Sequence, residues 1–376
     1  MVEVKRKGVL VLALVAVLAI VAAACSSDDN GNNTGSTGAT SASGASGGAT
    51  NLSGELNGAG STAQQAAMEA WVATLTGDNP DLTINYDPVG SGAGREQFIG
   101  GGADFAGSDA YMADGDELTS ATQRCGGDDN LIEIPVYISP IAVAFNLPGV
   151  DSLNLTPDTI AKIFNGDITT WNDPAIAGDN SDVDLPDTAI TPVHRSDDSG
   201  TTQNFTEYLS AAAPDAWTFE PDDVWPIKGG ESAEGTSGVI DAVTNGEGTI
   251  TYADASQAGE LGKAKVEVGG QFVEISAQAA ADAIDASTPV KGRGPYDFAI
   301  DVNRTPENGE YPIVLLSYQI GCTTYDDPGT AANVKALFSL IASPEGQQLA
   351  AENAGSAPIS DTLAQDAQTA IDAIQT

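Results

Sequence analysis

The chain has 376 residues, 41% of them hydrophobic, which is enough for two globular domains with cores of their own. It carries 14 Lys and Arg residues against 53 Asp and Glu residues, a formal net charge of −39. A surface of this sign repels nucleic acid and anionic lipid and so excludes polyanions as partners. A small anion is not excluded, because a buried site can bind one through local backbone amide dipoles.

The N-terminus has the composition of an export signal. Three basic residues precede an uninterrupted apolar run over residues 8–24, which ends in small residues before Cys25. An uncleaved membrane anchor is the alternative, although a membrane span usually needs about 20 apolar residues. The sequence Ala22-Ala23-Ala24-Cys25 resembles the lipobox of bacterial lipoproteins, whose cysteine is lipidated after cleavage, except that the lipobox prefers Leu at the position of Ala22. We therefore predict a signal peptide over residues 1–24 and a lipid anchor on Cys25.

Residues 25–53 are almost entirely Ser, Gly, Thr, Ala and Asn. Such a composition cannot form a buried core and is typical of a flexible tether. A tether between a lipid anchor and a folded body predicts that the body works outside the cytoplasm, close to the cell membrane. We therefore expect an extracytoplasmic protein held to the cell membrane through its lipid.

From Gly54 onward, short strands alternate with amphipathic helices. The predicted strands are 82–86, 103–107, 249–252 and 313–319. The predicted helices are one that carries Met68, Trp71, Val72 and Leu75 and stops at Gly77, one that starts at Thr156-Pro157 and stops at Gly166, one that carries Val334, Leu337, Phe338 and Ile341, and one that starts at Ser343-Pro344. This alternation predicts an α/β architecture with largely parallel sheets.

Two cysteines follow Cys25, at positions 125 and 322. In an exported protein an even pair is typical of a disulfide, and two buried free thiols or a metal site are the alternatives. A metal site is disfavoured because the single histidine, His194, lies far from both Cys125 and Cys322 in sequence. We predict neither a metal nor a cofactor.

Three segments of Gly and hydroxyl residues precede helical patterns, at residues 58–62, 90–94 and 199–202. The start of a helix exposes unpaired N–H groups and the positive end of the helix dipole, and Gly lets the backbone approach an anion closely. Each segment alone is typical of an ordinary N-cap. Three of them without a lysine indicate a site for a small oxyanion, and none matches the nucleotide-binding P-loop.

Two charged residues accompany these segments. Arg195 lies four residues before Ser199 and is a planar donor suited to an oxyanion, although a surface ion pair is its alternative role. Asp109 follows the strand predicted over residues 103–107, and the end of a strand would place it at a cleft. Its alternative role is to cap the turn that follows.

Four motifs stand in the order and spacing found in the phosphate-binding proteins of high-affinity phosphate ABC transporters. They are Gly58-Ala59-Gly60-Ser61-Thr62, Gly90-Ser91-Gly92, Ala103-Asp104-Phe105-Ala106-Gly107-Ser108-Asp109 and Arg195-Ser196-Asp197-Asp198-Ser199-Gly200-Thr201. The chain resembles this family over essentially its whole length after the tether. The resemblance implies the type II periplasmic-binding-protein fold, in which two α/β lobes are joined by two crossover strands and the ligand lies in the cleft. Lobe I would comprise residues 54–138 and 309–376, and lobe II residues 139–308.

The resemblance also implies which residues bind the anion. The expected phosphate ligands are Thr62, the amide of Ala63, Ser91, Asp109, Arg195, Ser199, Gly200 and Thr201. The family often has Phe where this chain has Ala63. A disulfide between Cys125 and Cys322 would join the two parts of lobe I. The implied partners are inorganic phosphate and the permease subunits of a phosphate ABC transporter, and the protein would act as a monomer.

The chemistry of Asp109 predicts selectivity. An ionised carboxylate only accepts hydrogen bonds, and phosphate at neutral pH has a proton to donate whereas sulfate has none. Sulfate would therefore be rejected. A binder of sulfate, molybdate or tungstate is the nearest alternative function, and a secreted phosphatase with Ser199 as nucleophile is another. We expect no enzymatic activity, because one histidine and no cluster of ligands cannot hold the metals that phosphoryl hydrolysis needs.

Overall fold

The computed structural model describes residues 52–376. The predicted signal peptide, Cys25 and nearly all of the predicted tether lie outside the described residues. Within residues 52–376, no helix is both long enough and apolar enough to span a membrane.

Strands and helices alternate along most of the chain, as the sequence predicts. The strands are β1 (Gly54–Gly60), β2 (Leu82–Asp87), β3 (Phe105–Ser108), β4 (Leu131–Asn146), β5 (Ser152–Leu155), β6 (Thr191–Arg195), β7 (Glu231–Ala233), β8 (Thr249–Asp254), β9 (Gly262–Val268), β10 (Gln271–Val273), β11 (Thr288–Pro289), β12 (Ile300–Asp301) and β13 (Val314–Cys322). The helices are α1 (Gln65–Asp78), α2 (Ser91–Ile99), α3 (Asp116–Arg124), α4 (Pro157–Phe164), α5 (Pro174–Asp179), α6 (Gly200–Ala212), α7 (Gly235–Asn245), α8 (Ala277–Asp285), α9 (Pro328–Ala342), α10 (Pro344–Ala354) and α11 (Asp361–Asp372).

One long strand, β4, connects the two ends of the sheet. The strand order is β2-β1-β3-β13-β4-β8-β6-β7, with β9 beside β4 and with β5 and β10 beside β9. The 16-residue strand β4 pairs with β13 as far as Pro140 and with β8 from Ile141 onward. We call the elements before this point, together with β13 and α8–α11, the first half of the structure. The elements from Ile141 through β10, with α4–α7, are the second half.

The sheet is mixed, and the prediction of largely parallel sheets is wrong at its centre. Strands β1, β2 and β3 are parallel to one another, as are β6, β7 and β8. Strand β13, however, is antiparallel to both β3 and β4, and β4 is antiparallel to β8. The chain leaves the first half along β4 and returns to it with α8, and β13 then runs opposite to β4.

The first half buries apolar side chains on both faces of its sheet. Helices α1, α9, α10 and α11 cover one face, and α3 and α8 cover the other. Helix α8 belongs to a segment that we assigned to lobe II by sequence, yet its residues Ala280, Ala283 and Ile284 pack with Leu131 of the first half. The division into lobes at residue 308 stays a prediction. A third core, around Trp171 and Phe205, lies in the second half.

Cys125 and Cys322 form a disulfide in the first half, with their Cα atoms 5.3 Å apart across a sequence separation of 197. Cys125 follows α3 and Cys322 ends β13, and both are buried. The predicted pairing is confirmed, and free thiols and a metal site are excluded for these two residues.

Helix starts were predicted better than helix ends. Thr156 caps α4 by accepting from Thr159 N at 3.2 Å, and Ser343 caps α10 by accepting from Gly346 N at 3.0 Å. Gly77, predicted to end the first helix, lies inside the last turn of α1. Asn79 closes that turn instead, because its amide N–H donates to Thr76 O and its side chain donates to Leu75 O.

Candidate anion-binding site

The predicted site residues come together where strands end and helices begin. Thr62 follows β1, Asp109 follows β3 and Arg195 ends β6, while Ser91 starts α2 and Ser199 precedes α6. All of them are buried, at 7% exposure or less. The first motif differs from its prediction, because Gly58, Ala59 and Gly60 are the end of strand β1 and not a loop.

Helix α6 presents its N-terminus to the first half. Ser199 caps it by accepting from Thr202 N at 3.2 Å, so the amides of Gly200 and Thr201 lie in the first turn, where backbone donors have no partner within the helix. A Cβ atom at Gly200 would lie 2.5 Å from Ser91 Oγ and 2.7 Å from Asp109 Cβ. Only glycine therefore lets α6 approach Ser91 and Asp109 this closely.

Arg195 is buried rather than held in a surface ion pair. Its Nε donates to Asp197 Oδ1 at 2.8 Å, and its Nη2 pairs with the other oxygen of Asp197. Burial opposes ionisation of Asp197, but the bonds from Arg195 hold the pKa of its carboxyl below the ordinary value. Nη2 also donates to Thr62 Oγ1 at 3.1 Å, and Nη1 donates to Thr201 Oγ1 at 3.5 Å. The guanidinium thus reaches predicted ligands in both halves.

Asp109 supplies the acceptor of the site. Its carboxylate is 3% exposed and accepts from Ser317 Oγ of β13 at 2.6 Å. Burial raises the pKa of Asp109, while hydrogen bonds from Ser317 and Ser61 and the charge of Arg195 oppose that rise. This bond does not correspond to the alternative role of Asp109 as a cap of the turn that follows it, because Ser317 lies on a distant strand.

Two hydroxyl groups retain a donor for a ligand or a neighbour. Ser91 Oγ accepts from Asp109 N at 3.0 Å, which leaves its hydrogen free to donate. Thr62 Oγ1 accepts from Arg195 Nη2 and from Thr236 N at 3.1 Å each, so its own hydrogen points elsewhere. The predicted role of the Ala63 amide stays a prediction, and this N–H donates to Ser61 Oγ at 3.1 Å.

Sequence reasoning missed Thr236, which begins α7 and is fully buried against Thr62. The two hydroxyl oxygens lie 3.0 Å apart. Gly235-Thr236 is a further Gly and hydroxyl pair at a helix start, so the signal used for the other three segments could have found it. It also missed Asp197, which binds Arg195 two residues away, and Ser317, whose bond to Asp109 spans 208 positions.

The imidazole ring of His194 is held by contacts other than Ser199. Its Nδ1 lies 2.8 Å from Arg195 O and its Nε2 lies 3.2 Å from Gly229 O, and its ring stacks on Trp225. Both ring nitrogens therefore have backbone carbonyl partners, and neither is placed to activate Ser199 as a nucleophile. Among residues 52–376, no group of three His, Cys, Asp or Glu side chains is arranged to hold a metal ion.

The predicted ligands combine several donors with the carboxylate of Asp109, while the nearby carboxylate of Asp197 is paired with Arg195. A guanidinium, serine and threonine hydroxyls and the N-terminal amides of α6 supply hydrogen bonds and positive potential, and Asp109 accepts. Such a set of groups fits a small oxyanion that still carries a proton.

Comparison with known proteins agrees with this chemistry. Residues 36–345 match the PBP superfamily domain. The chain is 41% identical over 327 residues to the phosphate-binding protein PstS 3 of Mycobacterium tuberculosis, which covers 85% of this chain and 86% of the relative. It is 31% identical over 306 residues to the phosphate-binding protein PstS of Haemophilus influenzae, which covers 79% of this chain and 86% of the relative.

Solved structures share the fold. A high affinity periplasmic phosphate-binding protein bound with phosphate superposes with a TM-score of 0.68 at 23% identity, covering 84% of this chain and 93% of the other. The phosphate binding protein of Stenotrophomonas maltophilia superposes with a TM-score of 0.64 at 20% identity, covering 84% and 94%. At these identities the similarity is one of fold.

Proposed function

Because the chain belongs to the PBP superfamily and, within it, to the PstS phosphate-binding proteins, we propose that it binds inorganic phosphate outside the cytoplasm and delivers it to a phosphate ABC transporter. The observation that carries the proposal is the buried carboxylate of Asp109 beside several donors, since the second carboxylate of the site, Asp197, is already bound to Arg195. Phosphate at neutral pH can satisfy both kinds of group, since it accepts through several oxygens and still donates one proton.

The proposed ligands are those expected by sequence. Arg195, Thr62 and the α6 amides would hold the oxygens of phosphate, Ser91 and Thr201 would add hydroxyl donors, and Asp109 would accept the proton. A ligand of about five heavy atoms at a ceiling of about −1.5 kcal/mol per atom gives roughly −7.5 kcal/mol, which corresponds to a micromolar Kd. Charge-assisted hydrogen bonds would tighten this value.

Calorimetric titration of the extensively dialysed protein with phosphate, arsenate and sulfate tests the proposal. We expect one phosphate per chain, arsenate binding at the same site and no measurable heat from sulfate. Absence of both a phosphate heat and a phosphate-dependent rise in melting temperature would contradict it. Equal affinities for phosphate and sulfate would favour the alternative of a general oxyanion binder.

We further propose that the protein is a lipid-anchored monomer. The anchor rests on the export signal, the lipobox-like sequence at Cys25 and the tether of residues 25–53, and the monomeric state is the expectation from sequence. Substitution Cys25→Ala should move the protein from the membrane fraction of the native host to the soluble fraction. Light scattering of a variant that begins after the tether should give the mass of one chain with and without phosphate.

A further inference from the structure

Asn204 joins the two halves of the structure beside the proposed phosphate site. It lies one turn into α6, is 4% exposed and belongs to none of the motifs that define the family resemblance. Its Nδ2 donates to Asp109 O at 2.7 Å and to Gly200 O at 2.8 Å. The side-chain amide of Asn204 therefore binds the backbone carbonyl of Asp109 in the first half and that of Gly200 in the second half.

The orientation of this amide is fixed by Arg304. The guanidinium of Arg304 donates through Nη2 to Asn204 Oδ1, and a guanidinium has no acceptor atom. The oxygen of Asn204 must therefore face Arg304, and its NH2 group must face the two carbonyls. Arg304 is itself held by Glu207 Oε2 at 2.8 Å and is 7% exposed.

Arg304 also binds β13, the strand that carries the hydroxyl bound to Asp109. Its Nη1 donates to Val314 O at 2.9 Å, and three residues further along this strand Ser317 donates to the carboxylate of Asp109. The backbone carbonyl of Asp109 is thus bound by Asn204. Its carboxylate is bound by Ser317 on β13, the strand to which Arg304 donates.

We propose that Asn204 is a positioning residue that keeps the phosphate site closed by tying the backbone of Asp109 to helix α6. The proposal rests on the proposed function. Periplasmic binding proteins close around their ligands by hinge motion, so a bond between the halves exists only in the closed state. Its loss would leave the buried carbonyl of Asp109 without a donor in that state. The open state would be unaffected, and phosphate would leave faster without binding more slowly.

Asn180 provides a matched control. It is 3% exposed, and its Nδ2 donates to Asn154 O and Ile176 O at 2.8 Å each, while its Oδ1 accepts from Asn154 N at 2.8 Å. Like Asn204, it uses one carbonyl four residues earlier and one from a separate segment. All of its partners, however, lie in the second half.

The test compares Asn204→Ala, Asn204→Asp and Asn180→Ala with the natural sequence. We expect Asn204→Ala to raise the Kd for phosphate about 10- to 100-fold, chiefly through a faster release of radiolabelled phosphate. Asn180→Ala should lower the melting temperature of the ligand-free protein and leave the Kd within about twofold. Asn204→Asp keeps an acceptor for Arg304 but cannot donate to Asp109 O, so it should bind phosphate no better than Asn204→Ala.

The outcomes separate this inference from the proposed function. A natural protein that binds no phosphate would end the proposed function. A natural protein that binds phosphate, with an Asn204→Ala variant within about twofold of it, would overturn the role of Asn204 alone. Asn204→Asp with natural affinity would overturn it too, because the contact with Arg304 would then suffice. A loss confined to the association rate would also contradict a bond formed on closure.

Discussion

Ser317 Oγ donates to Asp109 Oδ1 at 2.6 Å, across 208 positions of sequence. Ser317 lies on β13, and Asp109 follows β3, the neighbour of β13 in the sheet. The order of strands therefore influences the pKa of Asp109, the proposed phosphate acceptor. Burial raises the pKa of Asp109, and this bond is the largest influence that opposes the rise.

The substitution Ser317→Ala should make phosphate binding more sensitive to acid. Without the bond the pKa of Asp109 rises further, and a protonated carboxyl can no longer accept the ligand's proton. Calorimetry at a series of pH values from about 5 to about 8 should show the acid limb of the affinity profile displaced to higher pH. Ser139→Ala, which removes another buried hydroxyl from the adjacent strand β4, is the control and should leave the profile in place. An unchanged profile in Ser317→Ala would contradict this coupling.

The substitution Asp109→Asn should relax selectivity. The side-chain amide can present its carbonyl to the proton of phosphate or its N–H to sulfate, and the negative charge is gone. We expect phosphate to remain bound and the affinity for sulfate to rise at least about tenfold. Titrations with both anions measure this, with Asp297→Asn as a buried control outside the site. If Asp109→Asn still excludes sulfate completely, selectivity arises from another group.

The carboxyl of Asp254 should make stability depend on pH in the mildly acidic range. Burial raises its pKa from 3.8 to about 6, so the native state binds more protons than the unfolded state between about pH 4 and pH 6. Its contribution to stability is therefore lost as the pH rises through this window. Asn can still accept the bond from Ser256 N, so Asp254→Asn should remove the dependence. Urea unfolding at about pH 4 and about pH 6 should show that the natural protein loses about 2 kcal/mol more unfolding free energy over this window than Asp254→Asn does. Parallel curves for the two proteins would refute this assignment.

Loss of the disulfide should destabilise the first half without altering the site. The Cys125–Cys322 bond spans 197 positions, and a cross-link of this length contributes about 2–5 kcal/mol. The double substitution Cys125→Ala and Cys322→Ala should lower the melting temperature and leave the Kd for phosphate unchanged at 25 °C, with the latter measured by calorimetry. Peptide mapping without reductant should recover the linked peptides from the natural protein. Recovery of two freely alkylated thiols would contradict the pairing.

The net charge of −39 should make both stability and the rate of association depend on salt. Like charges repel one another in the compact state and repel an approaching anion, and the Debye length falls from about 10 Å at 0.1 M salt to about 3 Å at 1 M. We expect the melting temperature and the association rate constant for phosphate to rise with NaCl over this range. A neutral osmolyte at equal osmolality controls for effects other than screening. Insensitivity of both quantities to NaCl would show that the charges are already compensated.

The sequence predicted best what short-range rules control. Thr156, Ser199 and Ser343 cap helices where the pattern indicates, because an N-cap depends only on the next three residues. The predicted ligands meet because each follows a strand or begins a helix, and these ends lie together at one edge of the sheet. The disulfide is confirmed as well.

Features that depend on packing between distant segments could not be predicted in this way. The position of α8 in the first half is set by apolar contacts of Ala283 and Ile284 with residues far away in sequence. The antiparallel direction of β13 follows from the path of the whole chain. Thr236 could have been found from the Gly and hydroxyl pattern at its helix start. No sequence pattern indicates the hydrogen bonds of Asn204, because they form only where two distant segments of backbone meet.

The central position of β13 also dictates the order in which this protein can be assembled. Strand β13 lies between β3 and β4, yet it is synthesised 168 positions after the end of β4, given its start at Val314 and the end of β4 at Asn146. A chain that emerges from its N-terminus therefore completes every strand of the second half before β3 and β4 acquire their shared neighbour. Until then both strands present unpaired edges, the kind of surface that recruits other chains. The first half is thus the last to complete its sheet, and its disulfide can close only after nearly the whole polypeptide has been made.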